Sequence, residues 1–290
     1  MIWLIGSKGM LASEISTLFT QHNMKWIGTD KEVDITDKNA LHEFYKTTFQ
    51  NKKCDWIINC AAYTAVDKAE DDSSVAQKLN ADSIINIAEL AEKNGAKLIH
   101  FSTDYVFAGN SSIPYSETDQ TDPQSVYGKT KLEGEKNISK ILQEYYIIRT
   151  AWLYGKAGHN FVSTMLRLMN EKNEIKVVND QRGSPTYAVD LARTVIKIIK
   201  INNERYGIYN YSNEGNISWY DFACEIYKQG KELNLIKSNC NILPCDSSEF
   251  PQKAKRPSFS LLNKEKIKQN FDLSIPEWKE SLSCYLKELI

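Results

Sequence analysis

The chain opens Met1-Ile2-Trp3-Leu4-Ile5-Gly6-Ser7-Lys8-Gly9-Met10-Leu11-Ala12. The apolar run reads as a buried strand, and it passes without a spacer into a glycine turn. Helical periodicity follows, with Leu11, Ile15, Leu18 and Phe19 on one apolar stripe. Strand, glycine turn and helix in this order form the dinucleotide-binding arrangement. Gly6 permits the tight turn, and Gly9 lets backbone approach a pyrophosphate. The phosphates then rest on the helix start at Met10 and Leu11, where free N–H groups and the helix dipole favour anions. The spacing is Gly-x-x-Gly-x-x-Ala, so Ala12 adds one methyl where a third glycine is usual, which still allows close packing of helix on strand. Such turns also join strands to helices that bind nothing, so the weight of this one comes from its surroundings.

A second strand, Lys25–Thr29, ends at Asp30, close to the ~20 residues at which a ribose-binding acid is expected. Asp30 suits a free 2′-hydroxyl and hence NAD; Lys31 suits a 2′-phosphate and hence NADP. Asp34 and Ile35 then lie along the adenine. A third strand, Asp55–Cys60, feeds Ala61-Ala62-Tyr63-Thr64, whose small residues admit a cofactor near the nicotinamide ribose. The alternation continues with a long helix over 75–94, a strand Lys97–Ser102 with Thr103 at its end, a helix from Ser125 to about Leu142, and a strand Tyr146–Arg149 leading to Trp152. Further on come a strand near 175–178, a helix near 189–200, a strand near 207–211 and a helix capped by Ser218. The fold expected is α/β: a Rossmann-type doubly wound parallel sheet over 1–153, followed by a smaller C-terminal α/β substrate-binding lobe over 154–290. The chain is expected to cross back to the Rossmann sheet near 207–211.

Tyr127 and Lys131 stand four residues apart in Ser125-Val126-Tyr127-Gly128-Lys129-Thr130-Lys131, so one helix face carries both. An ammonium beside a phenol favours the phenolate and lowers the tyrosine pKa from ~10. A tyrosine so tuned gives a proton to a carbonyl oxygen, or takes one from an alcohol, near neutral pH. The same spacing is common on exposed helices. Here its place after the Thr103 strand, where open parallel sheets bind ligands, supports chemistry.

With 290 residues the chain is long enough for one doubly wound domain and a smaller one. A net charge of −1 gives no basic surface for nucleic acid. The early apolar run is too short for a signal segment or a membrane span, and a cytoplasmic protein is expected. The six cysteines include no Cys-x-x-Cys pair, and the four histidines are far apart, so no metal site is expected from them.

Across almost its full length the chain resembles the extended short-chain dehydrogenase/reductases, and within them the dTDP-4-dehydrorhamnose reductase family. The segments that carry this are Gly6–Ala12, Asn59–Glu70, Ser102–Phe107, Tyr127–Lys131, Arg149–Gly155 and Asp180–Thr186. The glycine and Tyr-x-x-x-Lys motifs are general to the superfamily; the Ala61–Glu70 run and the Gly183-Ser184-Pro185-Thr186 loop are particular to the reductases. The resemblance implies that NADPH or NADH delivers hydride to C4 of dTDP-4-dehydro-β-L-rhamnose, yielding dTDP-L-rhamnose for a cell-surface polysaccharide. It implies that Tyr127 donates the proton, that Lys131 holds the nicotinamide ribose, and that Thr103 hydrogen-bonds the carbonyl oxygen. Asp104 and Trp152 would contact the sugar. With six arginines against thirty lysines, Arg182 and Arg256 stand out as pyrophosphate clamps, since a guanidinium fork binds phosphate bidentately. Some family members hold Mg²⁺ between carboxylates at a dimer contact. Glu14 falls at one such place but Val189 departs from the acid expected at another, so metal is not expected, and a monomer or homodimer is.

Two rival readings have distinct signatures. Nucleotide-sugar dehydratases of this fold carry Thr-Asp-Glu, whose glutamate is the base for elimination, whereas here Thr103-Asp104-Tyr105 lacks it. A non-catalytic NAD(P)-binding regulatory subunit is free to lose the threonine, tyrosine and lysine, all of which stand here. A reductase of a related nucleotide-4-keto-6-deoxy sugar shares the whole pattern, and turnover with a sugar panel separates it.

Overall fold

A computed structural model describes residues 1–50, 52–250 and 252–290. The first strands are β1 (Ile2–Ile5), β2 (Trp26–Thr29), β3 (Trp56–Asn59), β4 (Lys97–Thr103) and β5 (Tyr145–Thr150). Between them run α1 (Met10–Gln21), α2 (Lys38–Thr48), the short α3 (Val66–Ala69) and α4 (Ser73–Gln77), α5 (Ser83–Asn94) and α6 (Val126–Ile141). After β5 come β6 (Leu153–Tyr154), α7 (Phe161–Glu171), β7 (Glu174–Val178), β8 (Arg182–Gly183), β9 (Thr186–Tyr187), α8 (Ala188–Ile201) and β10 (Gly207–Tyr211). The chain ends with β11 (Ile217–Ser218), α9 (Trp219–Glu232), β12 (Asn241–Cys245), α10 (Glu265–Phe271) and α11 (Trp278–Lys287).

Six strands form one parallel sheet in the order β10-β5-β4-β3-β1-β2. Parallel neighbours need crossovers, so helices cover both faces and the strands are largely apolar. Alternation along β1 shows the two faces directly. Ile2 and Leu4 join the core beneath α1, α8 and α10, while Trp3 and Ile5 join the one beneath α2, α5 and α6. Burying each such Leu or Ile side chain stabilises by about 1.5–3 kcal/mol. The single polar atom of the Trp3 ring is satisfied, its Nε1–H donating to Thr29 Oγ1 at 2.9 Å. The sheet order reverses at β1, between β2 and β3, and a crevice therefore opens at the carboxyl ends of β1 and β3.

The chain returns to this sheet at β10, which pairs with β5 from Gly207↔Tyr146 to Tyr211↔Thr150. Helices α8 and α10 also pack on the sheet, so part of 154–290 lies with the Rossmann layers. The remainder builds a second core around Tyr154, Tyr187, Phe222, Trp278 and Tyr285. Three small ladders frame it: β6 with β9, β7 with β12, and β8 with β11. Ser218 caps α9 in a reciprocal pair with Asp221, as the sequence suggests.

The helix expected over 75–94 is present, running from Ser73 to Asn94, and it carries a π turn at Lys78–Asp82. The extra residue turns the Asn80 side chain out of the helix. Its Oδ1 accepts from the Tyr63 N–H at 2.9 Å, and its Nδ2 donates to the Tyr63 carbonyl at 3.0 Å and to Thr130 Oγ1 at 3.2 Å. Among the described residues no helix is long and apolar enough to cross a membrane.

Candidate active site

At the crevice, Gly6 has φ +74°, and a Cβ there would lie 2.7 Å from the Ala61 nitrogen. Glycine is therefore required where the first turn meets the end of β3. Gly9 precedes α1 without a side-chain cap, and no acid occupies the first turn, so the N–H groups at Met10 and Leu11 face outward unneutralised. Ala12 is fully buried against the sheet. Asp30 closes the other side of the turn: Oδ2 accepts from the Lys8 N–H at 3.1 Å and Oδ1 from the Lys31 N–H at 3.0 Å. This donor set fits a dinucleotide, with free N–H groups for the diphosphate and a carboxylate for the ribose. Glu32 sits beside it, 3.9 Å from the Lys8 ammonium and accepting from the Asp30 N–H at 2.7 Å.

On the adenine side, the Asp34 and Ile35 side chains already have partners within the chain. The Asp34 carboxylate is taken up by the backbone and hydroxyl of Thr36, both at 2.8 Å. The Ile35 side chain is buried with Trp3 and Val33 in the core. An apolar side chain finds more surface to cover beneath the sheet than at its open edge, so this segment offers a ligand its backbone. Ala61, Ala62 and Tyr63 are partly open and Thr64 exposed, in a loop that Asn80 ties to α6.

Helix α6 begins where Ser125 Oγ accepts from the Gly128 N–H at 3.1 Å and Glu70 accepts from the Val126 N–H at 2.9 Å. Tyr127 is thereby set beside the end of β4, its ring edge-on to Tyr105 with centroids 5.6 Å apart. Burial pushes the Tyr127 phenol well above its ordinary range. The lowering expected from Lys131 is absent, because the lysine faces away from the phenol. Its Nζ donates to the Phe101 carbonyl at 2.6 Å and lies 3.2 Å from His100 Nε2. Burial brings Lys131 down to about 8.

The Thr103 proton is likewise committed, donated to Asp104 Oδ1 at 2.9 Å, while its oxygen accepts from the Tyr105 N–H at 3.2 Å. To serve a substrate carbonyl, the hydroxyl must turn away from Asp104. Asp104 itself is buried, which raises its carboxyl to about 6.

Beyond Tyr105 lies a cleft of about 650 Å³ lined by Trp152, Phe161, Met165, Trp219 and Arg256, among others. Trp152 holds the left-handed φ of +49° and stacks on Trp219, with centroids 3.5 Å apart and planes 12° apart. A left-handed non-glycine costs about 1–3 kcal/mol and marks a side chain held in place by its surroundings. Arg256 enters the cleft but is already engaged, donating to the Tyr105 hydroxyl at 2.9 Å and to Asp67 Oδ2 at 2.7 Å. Arg182 does not line the cleft: its guanidinium turns to Asn216, at 3.0 Å to Oδ1 and 2.7 Å to the carbonyl. The side-chain and backbone oxygens of Asn216 take up that fork, so it is not brought to the cleft. Glu14 lies near Glu288 and Lys156, which pair at 3.0 Å, and Val189 is buried in the second core.

Sequence reading missed Asn59, Asn80, His100 and Trp219. His100 sits inside an apolar strand pattern, where periodicity registers only burial. Trp219 occupies an ordinary amphipathic position, and only its stacking on Trp152 distinguishes it.

The family profile described as RmlD substrate binding domain matches residues 1–290. The dTDP-4-dehydrorhamnose reductase of Salmonella typhimurium is 37% identical over 296 residues, covering 99% of this chain and 97% of its own. Among solved structures, a dTDP-4-dehydrorhamnose reductase of Clostridium acetobutylicum superposes with a TM-score of 0.91 at 43% identity, covering 99% of each chain. That of Bacillus anthracis, in complex with NADP, gives 0.90 at 36% identity, covering 99% of this chain and 98% of its own.

Proposed function

The chain belongs to the RmlD substrate binding domain family, and from that premise we propose the reaction and the residues that perform it. It is a dTDP-4-dehydrorhamnose reductase, reducing the C4 ketone of dTDP-4-dehydro-β-L-rhamnose to dTDP-L-rhamnose, a precursor for cell-surface polysaccharide. NADPH or NADH supplies the hydride when bound.

The diphosphate of the cofactor would rest on the N–H groups at Met10 and Leu11, with Gly6 and Gly9 leaving room for it, and Asp30 would read the ribose. Ala61, Ala62, Tyr63 and Thr64 border the nicotinamide half, where Lys131 holds the ribose. As C4 gains an electron pair, Tyr127 Oη gives its proton to the C4 oxygen, so the product leaves as a neutral alcohol. Thr103 donates to the same oxygen once its hydroxyl leaves Asp104, whose carboxylate then accepts from a sugar hydroxyl. The Trp152–Trp219 pair offers an apolar face, and Arg256, held in place by Asp67, meets the diphosphate with its remaining N–H groups.

One observation carries the reading: Tyr127 is in ring contact with Tyr105, a wall of the cleft, and beside Thr103. This contact supports Tyr127 as a donor at the edge of the cleft. The cofactor lobe is residues 1–153, with the returning strand near 207–211, and the rest of 154–290 is mainly substrate lobe. We place the enzyme in the cytoplasm as a monomer or homodimer; the six free thiols support a reducing compartment.

The test is steady-state oxidation of NADH and NADPH with dTDP-, UDP- and GDP-4-keto-6-deoxyhexoses. The highest kcat/KM is expected for dTDP-4-dehydro-β-L-rhamnose. A higher value for another sugar would transfer the assignment to it, and no turnover with any would leave a binding subunit.

A further inference from the structure

Behind Lys131 runs a buried polar chain that the reaction above does not use. Asn59 ends β3, His100 lies within β4, and Lys131 reaches them from α6; all three are at most 2% exposed. The Ala61 N–H donates to Asn59 Oδ1 at 3.0 Å. This settles the orientation of the amide, because a donor there must meet the oxygen. Asn59 Nδ2 is therefore the atom 3.1 Å from His100 Nδ1, and Nδ1 must accept. A neutral imidazole carries one proton, so it sits on Nε2, aimed at Lys131 Nζ 3.2 Å away. An ammonium has no lone pair to receive it. Every bond in the chain is made only when Lys131 is a neutral amine, accepting from His100 and donating to the Phe101 carbonyl at 2.6 Å.

We propose that His100, oriented by Asn59, is a positioning residue that sets the charge state of Lys131 through an Nε2–H···Nζ hydrogen bond. The charge of the lysine becomes conditional, acquired when a ligand brings further acceptors to Nζ. The other titratable groups around Nζ are few. Glu135, one turn along α6, favours the ammonium but is neutralised by Arg149 of β5 at 2.6 Å. The Cys60 thiol after β3 is held protonated by burial. Burial also holds His100 well below its ordinary value, so the ring stays neutral and can keep this role across the working pH range.

The first measurement is the long-range ¹H–¹⁵N spectrum of the ¹⁵N-labelled full chain without cofactor. There are four histidines, and His100 is assigned by its absence from His100→Gln. A neutral Nε2–H tautomer is expected, and an Nδ1–H tautomer or an imidazolium titrating near ~6.5 overturns the proposal. The second is the pH dependence of NADPH binding, followed by cofactor fluorescence. In His100→Gln the amide oxygen turns to the lysine. In Asn59→Asp the carboxylate draws the ring proton to Nδ1 and leaves Nε2 to accept. Both changes favour the ammonium, so the pH above which NADPH binding weakens moves up by about one unit or more. An unshifted profile in folded His100→Gln or Asn59→Asp means that His100 only packs. The proposal rests on the cofactor reading above, and the two can fail separately: a wild-type chain that does not bind NADPH refutes that reading, whereas the tautomer is measured without ligand.

Discussion

Tyr127 is the proposed proton donor, and burial holds the proton on its phenol. Tyr127→Phe keeps the ring and removes the donor, so kcat should fall ~10²–10⁴-fold while NAD(P)H binding stays near wild type. Stopped assays with a parallel fluorescence titration check both halves, and retention of more than about a third of kcat assigns the proton elsewhere. Asp30→Ala removes the carboxylate beside the 2′-position and should shift the kcat/KM ratio towards NADPH; an unchanged ratio means that Asp30 does not read the ribose. Asp104 gives a pH signature. Its carboxyl is raised from 3.8 to about 6 in the folded chain, so the folded state binds that proton more tightly than the unfolded one. This stabilisation is present below about pH 4 and is lost as pH rises through about 6. Asn at 104 cannot ionise. The stability of Asp104→Asn relative to wild type should therefore grow by roughly 3 kcal/mol between about pH 4 and about pH 8. Urea unfolding at the two pH values measures the difference, which cancels any packing change common to both.

Helix α6 delivers Tyr127 and Lys131, and its start is held by contacts from three directions. Ser125 and Glu70 take the N–H groups of Gly128 and Val126, and Gly128 lets the helix close on the turn after β4. A Cβ at Gly128 would lie 2.2 Å from the Tyr105 carbonyl oxygen, which is backbone and cannot swing away. Gly128→Ala should displace the first turn and lower kcat by up to ~100-fold, the size expected for an ångström of misplacement. The thermal midpoint should fall with it. A full-rate enzyme would show that Tyr127 tolerates this shift. Helix α6 itself was legible, because a polar cap precedes a periodic run: Val126–Ile141 against an expected 125–142. The helix over 75–94 was legible too, but not the π turn inside it, where Asn80 bonds to Tyr63 and Thr130, 17 and 50 residues away.

Across the whole molecule, one segment near the C-terminus reaches back over the first lobe. Arg256 pairs with Asp67 at 2.7 Å, Lys253 with Asp71 at 2.5 Å, and the Ala254 N–H donates to Asp67 at 3.1 Å. Asp67 thus accounts for part of the Ala61–Glu70 run: it positions a wall of the substrate cleft. Asp67→Ala should raise KM for the nucleotide sugar about tenfold, the ~1–2 kcal/mol of one partly exposed charge-assisted hydrogen bond. The KM for NAD(P)H should hardly change. Equal rises in both, or in neither, would separate Arg256 from substrate binding.

The sequence by itself determined the parallel sheet, the glycine turn, the acid at the end of β2 and the Tyr127–Lys131 spacing. These are local patterns: strand apolarity, a positive φ that glycine supplies, and a helical period that puts i and i+4 on one face. The return of the chain to the sheet at 207–211 was legible for the same reason, as an apolar strand bounded by a turn. Tertiary structure decided what each polar side chain meets. Lys131 faces His100 rather than the phenol, Arg182 turns to Asn216 while Arg256 enters the cleft, and Ile35 goes to the core instead of an adenine. A hydrogen bond is chosen by which donor and acceptor the fold brings within about 3 Å, and burial sets the charge each group keeps. Neither quantity is written in the spacing of residues along a chain.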